Sequence, residues 1–358
     1  MKNILFVAHD PGGANVIKPV MEYFAQQSEC ASYHLLLGPA KERIITDGVN
    51  VYHLHIRSFP TPNFPNEHSV DEQDIIALLE ETRFDAVFTA TSFNSNLERL
   101  CIRLANERGI PTVAILDFWS NYQQRFTLNA RTDVPLVLFV ADKRMCDEAA
   151  RELPITRVVI SGNPHLQSLA TRYKEARSQY ESSIQGIPTR IRFFCENIRH
   201  YYPDKPVNEF TIVPKLFHTL SQAGFEGELL IRPHPMESRE PWQAFITEEQ
   251  VNTPRVRLTL DSASFDEVLR DRCIAVGFTT MALLETASVG IPTFSYQIQV
   301  PSDYFNLPFE EYGIVRLVGE GDVAKILQAP QKQGMAGGST SSLDALAIIH
   351  AEVAQLSE

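Results

Sequence analysis

The sequence predicts an α/β protein made of two doubly wound parallel-sheet domains facing across a cleft. Three observations predict it. Short β-rich apolar runs alternate with amphipathic segments almost from end to end, the signature of right-handed βαβ units. A polar stretch at 166–185 breaks the alternation into two series. The 358 residues also suffice for about two domains.

The first series opens with MKNILFVAHD, whose apolar run is too short for a signal-peptide core and reads as a first strand at 3–8. Further strands are expected at 34–37, 51–54, 86–89, 112–116, 136–140 and 157–160. Helical patterns fall at 14–27, 71–81, 96–108 and 143–152; in the last, Met145, Ala149 and Leu153 recur at helical spacing. Residues 166–185 form a helix rich in Arg, Lys and Glu, followed by Gly186-Ile187-Pro188, and read as a connection. The second series places strands at 191–195, 228–231, 255–260, 274–277, 293–296 and 313–317, with helices at 209–222, 264–270 and 281–289. Residues 331–341, with Gly334, Gly337 and Gly338, read as a mobile loop, and 343–356 as an amphipathic helix. The expected domains are 1–165, 191–341 and a terminal helix in 342–358, with 166–190 as the link. No solenoid-period repeat is present.

Composition narrows the function. Hydrophobic residues at 44% and charged residues at 21% support packed cores rather than disorder. Lys and Arg number 32 against 44 Asp and Glu, a net charge of −12, so a nucleic-acid partner is not expected. Local basic spots for one or two phosphates remain open. Cys30, Cys101, Cys146, Cys195 and Cys273 lie far apart, with neither zinc spacing nor a disulfide framework, and read as reduced thiols. No apolar stretch approaches the ~18 residues of a membrane helix, so a cytoplasmic protein is expected.

Four motifs fall at strand ends, where ligands collect in such sheets. The first, His9-Asp10-Pro11-Gly12-Gly13-Ala14-Asn15, joins a strand to a helix. Adjacent Gly12 and Gly13 let backbone N–H groups approach a ligand, and a helix start favours an anion or polar oxygen. The dinucleotide pattern Gly-x-Gly-x-x-Gly is not met. His9 and Asp10 are candidate proton acceptors; the plainer reading is a tight turn with Asp10 as a cap. The second, Asp117-Phe118-Trp119-Ser120-Asn121-Tyr122 followed by Arg125 and Phe126, suits a sugar surface, with Trp119 stacking, Asn121 hydrogen-bonding and Asp117 as a second base; otherwise the rings are core. The polar stretch 89–96 reads either as part of this surface or as a helix cap.

The third, Arg232-Pro233-His234-Pro235, is held rigid by its prolines, and a fixed Arg and His suit a phosphate or diphosphate. The fourth runs Gly277-Phe278-Thr279-Thr280-Met281-Ala282-Leu283-Leu284-Glu285, then Ala287, Gly290 and Pro292. Thr279 and Thr280 open a helix that can hold phosphate, and Glu285 can accept both hydroxyls of a ribose. The alternatives are a surface ion pair for Arg232, a turn role for His234, and an exposed Glu285 on a capped core helix.

The Arg-Pro-His-Pro turn and Gly-x-Thr-Thr followed by Glu-x-Ala-x-x-Gly-x-Pro resemble GT-B glycosyltransferases, especially bacterial capsule and teichoic-acid-type enzymes with cytidine-activated donors. Ser161-Gly162-Asn163-Pro164 is similar to the Gly-Asn turn before the linker in GT-B transferases and sugar-nucleotide 2-epimerases. The resemblance implies two Rossmann-like domains, with a C-terminal helix packing back on the first. It also implies that His234 and Pro235 meet the donor phosphate, Thr279 and Thr280 bind phosphate, and Glu285 binds ribose. The acidic base motif of the sialyltransferase branch is absent, which leaves the base open among His9, Asp117 and Asp10.

The expected function is metal-independent transfer from a nucleotide-activated sugar or polyol phosphate (CMP-, CDP- or UDP-linked) to a hydroxyl-bearing acceptor, in surface polysaccharide or glycoconjugate synthesis. Peripheral association with a membrane assembly fits that setting. No cofactor is expected. Asp-x-Asp, His-x-x-x-His, Gly-x-Ser-x-Gly and Walker sequences are all missing. The rivals are a sugar-nucleotide 2-epimerase or hydrolase drawing on His9, Asp10, Asp117 and Glu196, and a catalytically inactive nucleotide-sugar-binding module.

Overall fold

The computed structural model describes residues 1–44, 50–52, 56–58, 68–93, 95–182, 188–201, 203, 207–235, 237–250, 256–298, 307–328 and 344–356. Two compact units result: Met1–Ser168 with Thr340–Glu358, and Leu169–Ser339. The expected loop at 331–341 and the residues Gly186 and Ile187 lie outside the described residues.

In chain order the first unit runs β1 (Lys2–Ala8), α1 (Pro11–Ala25), β2 (Cys30–Leu36), α2 (Gly38–Arg43), β3 (Asn50–Tyr52), β4 (Ile56–Ser58) and β5 (His68–Val70). It continues with α3 (Glu72–Glu81), β6 (Ala86–Thr89), α4 (Leu97–Glu107), β7 (Thr112–Ile115), β8 (Thr127–Leu128), β9 (Arg131–Thr132), β10 (Val137–Val140), α5 (Lys143–Glu152) and β11 (Arg157–Ile160). Helix α6 (Pro164–Ser182) then leads to β12 (Arg190–Phe194), α7 (Ile198–Tyr201), α8 (Glu209–Gln222), β13 (Gly227–Arg232), α9 (Glu240–Gln250) and β14 (Val256–Leu260). The chain ends with α10 (Phe265–Arg270), β15 (Ile274–Gly277), α11 (Met281–Ser288), β16 (Thr293–Tyr296), β17 (Val315–Leu317), α12 (Ala324–Leu327) and α13 (Ala345–Gln355).

The first unit holds a parallel seven-stranded sheet in the order β11-β10-β7-β6-β1-β2-β3. Central β1 shows why both faces are covered. Its residues alternate, so Ile4, Phe6 and Ala8 join Val16, Ile17, Val20 and Phe24 of α1 in one core. Leu5 and Val7 join Ile75 and Leu78 of α3 and Leu97, Leu100 and Leu104 of α4 in the other. Ile349 and Val353 of α13 complete the α1 side. The Lys2 ammonium donates to the Ala354 carbonyl at 2.6 Å and Arg157 pairs with Glu352 at 2.8 Å, so the C-terminal helix packs back on the first sheet.

The second unit holds a parallel six-stranded sheet, ordered β14-β13-β12-β15-β16-β17. Its core gathers Ile191, Phe193, Leu229, Ile231, Ile274, Val276 and Phe294 from the strands, with Val213, Leu216 and Phe217 from α8. Both orders wind outward from an early strand and then restart on its other side. The reversal lies between β1 and β6 in the first unit and between β12 and β15 in the second. Such a reversal opens a crevice at the carboxyl ends of the two strands, because the crossovers depart in opposite directions.

Most expected elements are present, with three kinds of difference. Helix α1 starts at Pro11 rather than 14, since a proline at the first helical position loses no hydrogen bond. Strand β2 starts at Cys30, extended by pairing with Lys2 and Asn3. Helices α2, α7, α9 and α12 and the short strands β4, β5, β8 and β9 were not legible. In α9, Trp242 is fully buried and stacks on Phe210 with ring centroids 4.1 Å apart, a tertiary contact that fixes a locally polar segment. No disulfide joins the described cysteines, and Cys101, Cys195 and Cys273 are buried. No helix among the described residues is long and apolar enough to cross a membrane.

Candidate functional site

The first and fourth motifs lie at these two strand reversals, and the second and third follow β7 and β13, each one strand outward from a reversal. In the second unit, β12 delivers Glu196 and β15 delivers Phe278, Thr279 and Thr280, while β13, on the other side of β12, ends in Arg232 and His234. Thr280 caps α11, its hydroxyl accepting the Ala282 N–H at 3.3 Å. Thr279 is buried, and both its backbone N–H and its hydroxyl donate to the Glu196 carboxylate. Burial, reinforced by the Glu209 carboxylate, pushes Glu196 up to about 7, although the Thr279 and Thr280 hydrogen bonds pull the other way. The buried Glu209 in turn accepts the backbone N–H groups of Glu196 at 3.0 Å and Ile198 at 2.8 Å.

His234 is half-buried, and its backbone N–H donates to Glu237 at 2.7 Å. Burial lowers the imidazole pKa, and His200 adds to that, so the ring favours its neutral form. Arg232 donates to Asp261 at 3.1 Å and to the Ala263 carbonyl at 2.7 Å, and lies over the Phe265 ring. The guanidinium is thus held by its own unit, next to the Arg192–Asp261 ion pair of 2.6 Å. Glu285 sits half-buried on α11, past the Thr279-Thr280 turn.

In the first unit, His9 follows β1, and Thr91 and Ser92 follow β6. His9 is 1% exposed. Its Nδ1 pairs with Asp10 at 2.7 Å, and its Nε2 lies 2.5 Å from where a β-carbon on Gly38 would sit. Gly38, at φ +51°, therefore gives the ring its space. Asp10 does not cap α1 with its side chain; its second oxygen accepts the Phe93 N–H at 2.8 Å. Beneath this pair, buried Glu98 accepts the His9 N–H and the Ser92 hydroxyl, each at 2.8 Å. Burial, with Asp10 adding to it, raises the Glu98 pKa.

Asp117, at the end of β7, forms a 2.7 Å ion pair with Arg125, which also donates to Thr91 at 2.9 Å. Gly12 and Gly13 lie in the first turn of α1 against Asp117 and against Ala90 and Thr91, respectively. Trp119 departs from the expected stacking surface: it is 5% exposed, and its indole N–H donates to Asp142 at 2.6 Å. A large apolar ring with one donor is satisfied this way in a core. Asn121 is exposed and left-handed, at φ 60°.

The structure thus groups His9, Asp10, Gly12, Gly13 and Asp117 in one unit, and Arg232, His234, Thr279, Thr280 and Glu285 in the other. Sequence reading passed over Glu98, Glu209, Glu237 and Asp261. Each lies on or beside a surface-looking polar segment, and only the fold buries it or brings it to the cluster. Among the described residues, no group of three or more His, Cys, Asp and Glu forms a metal cage.

No protein-family description matches the chain, and no curated protein matches it in sequence. Solved structures do. The UDP-GlcNAc 2-epimerase of Neisseria meningitidis bound to UDP-GlcNAc superposes with a TM-score of 0.65 at 13% identity, over 99% of each chain. The fold is GT-B. The UDP-GlcNAc 2-epimerase of Methanocaldococcus jannaschii gives 0.64 at 10% identity over 98% of this chain and 100% of that one. MurG of Acinetobacter baumannii, a GT-B glycosyltransferase, gives 0.58 at 11% identity over 99% and 100%. The GT-B scaffold is common to epimerases and transferases, so the chemistry must be argued from the residues.

Proposed function

We propose that the protein is a metal-independent enzyme of nucleotide-sugar chemistry, and that it transfers the activated sugar or polyol phosphate to a hydroxyl acceptor. The observation that carries this is the β12–β15 reversal, where the Thr279-Thr280 turn opens α11 beside the end of β12, with His234 at the end of the neighbouring β13. Backbone N–H groups and the positive end of α11 suit a diphosphate, the hydroxyls add donors, and Glu285 suits the ribose diol. In this reading Arg232 fixes the turn through Asp261 and Phe265 and shapes the field around His234.

The first unit would handle the acceptor. The acceptor oxygen attacks the activated carbon or phosphorus, the bond to the nucleotide phosphate breaks with its electron pair, and the acceptor proton passes to the His9–Asp10 pair. Charge on the departing nucleotide is met by the donors at α11. Surface polysaccharide or glycoconjugate assembly is the setting such an enzyme fits.

The named neighbours favour a second reading, 2-epimerisation, because two of them are UDP-GlcNAc 2-epimerases. It would draw on the carboxylates of Asp10 and Asp117 as acid and base. A thermal-shift screen against UDP-, GDP-, CMP- and CDP-linked compounds tests the shared premise, since a ligand of the native state raises Tm. No shift with any of them overturns both readings. Product analysis with the binding compound then separates them: turnover only with an added acceptor supports transfer, and an isomerised sugar without one supports epimerisation.

A further inference from the structure

The start of α11 is already occupied by a carboxyl group of the chain itself. The Glu196 carboxylate accepts the backbone N–H and the hydroxyl of Thr279, and the Thr280 N–H bonds to it as well. These are the donors that the proposed function offers to the diphosphate. One set of N–H groups cannot serve both anions, and two anions at one helix start repel each other.

We propose that Glu196 is an internal plug of the phosphate cradle, and that a nucleotide sugar binds the form of the protein in which this carboxyl has taken up a proton and released the Thr279 and Thr280 donors. The inference rests on the nucleotide-sugar reading and adds a control to that same site. Geometry supplies the first support: Glu196 projects from the end of β12 across the strand reversal onto α11, and Glu209 of α8 holds its backbone N–H. Titration supplies the second. With burial and Glu209 placing the carboxyl near 7, the plug is mostly charged at pH 8 and mostly protonated at pH 6. The other titratable groups of the neighbourhood are Glu209 on α8, Cys195 beside Glu196, Glu237 and His234 after β13, and His200 on α7. Burial holds the His234 imidazole below its ordinary pKa, so the Glu196 effect has to be read as a difference between proteins.

UDP-GlcNAc, GDP-mannose and CDP-glycerol carry diphosphate diesters whose charge is constant from pH 6 to pH 8. Titration calorimetry of these three with wild type and Glu196→Gln supplies the test. If binding needs the protonated plug, about one tenth of the wild type is competent at pH 8. The variant should then bind about tenfold more tightly there, with less than about a twofold difference at pH 6. Wild type should also take up close to one proton per ligand at pH 8, measured in buffers of different ionisation enthalpy, and the variant clearly less. That comparison of buffers on wild type alone keeps the inference testable should the variant misfold: absence of proton uptake overturns the plug. Equal or weaker binding by a folded variant at pH 8 also overturns it and leaves the nucleotide-sugar reading standing. Failure of all three compounds to bind either protein overturns that reading and the plug together.

Discussion

The carboxylate of Asp117 lies over Gly12, where a β-carbon would overlap an oxygen and stand 3.3 Å from Cγ. The helix start and the end of β7 therefore approach each other at a position that glycine fills without displacing the carboxylate. Gly12→Ala should push Asp117 off Arg125, lowering turnover while costing less than about 1 kcal/mol of stability, since a side-chain end can swing aside. At Gly13 the obstacles are the Ala90 β-carbon at 2.8 Å and the Thr91 carbonyl at 2.9 Å. Backbone cannot swing, so Gly13→Ala should cost about 1–3 kcal/mol in urea denaturation. Equal losses would show that the Asp117 contact is as rigid as the backbone one.

Binding and proton transfer are assigned to different residues, and kinetics can separate them. His9→Asn should lower the single-turnover rate by about 10²–10⁴, the usual share of a general base, with little change in donor affinity. His234→Asn should weaken donor binding at least as much as it slows the chemical step. Near-normal turnover by the His9 variant would move the proton acceptor to Asp117.

Glu285→Gln should weaken binding of the nucleotide sugar by about 1–3 kcal/mol, the range for hydrogen bonds to a charged acceptor. Thermal unfolding should barely change, because α11 tolerates glutamine. Unchanged affinity by calorimetry would remove Glu285 from the site.

His34 gives the fold an acid-sensitive point. The ring is 4% exposed against Phe6, and neither nitrogen has a hydrogen-bond partner among the described residues. Burial lowers its pKa from 6.5 to about 4. The unfolded chain therefore binds the proton first, and the contribution is fully present above pH 6.5 and falls away as pH drops toward 4. The difference corresponds to about 3 kcal/mol at most. His34→Leu should flatten the stability loss between these values, and an unchanged slope would mean that other groups govern it.

Asp261 is 5% exposed and pairs with both Arg192, at 2.6 Å, and Arg232, at 3.1 Å. Asp261→Ala leaves two guanidinium groups short of a counter-charge. Asp271, 2.6 Å from Arg192, offsets part of this, so the expected loss is about 3 kcal/mol in denaturant unfolding. A loss below 1 kcal/mol would show that Asp271 and solvent suffice.

The strands of the two parallel sheets were legible because burial on both faces demands apolar runs: AVFT at β6 and IAVG at β15 lie where expected. So were the strand-end positions of the first, third and fourth motifs, since glycine, proline and threonine between a strand and a helix have few other uses. The fates of Trp119 and Arg232 were not legible. A sequence shows that an indole or a guanidinium is present, but not that Asp142 or Asp261 waits beside it.

The sequence by itself determined the α/β class, the two series and the residues at the strand ends, because periodicity and turn chemistry are local. Only the tertiary structure decided the strand orders, which place the reversals between β1 and β6 and between β12 and β15. It alone buried Glu98 and set Glu196 on the Thr279 donors, partners 83 residues apart. The state of a carboxylate depends on the solvent it loses and the donors it meets, and both are fixed by packing between segments distant in the chain.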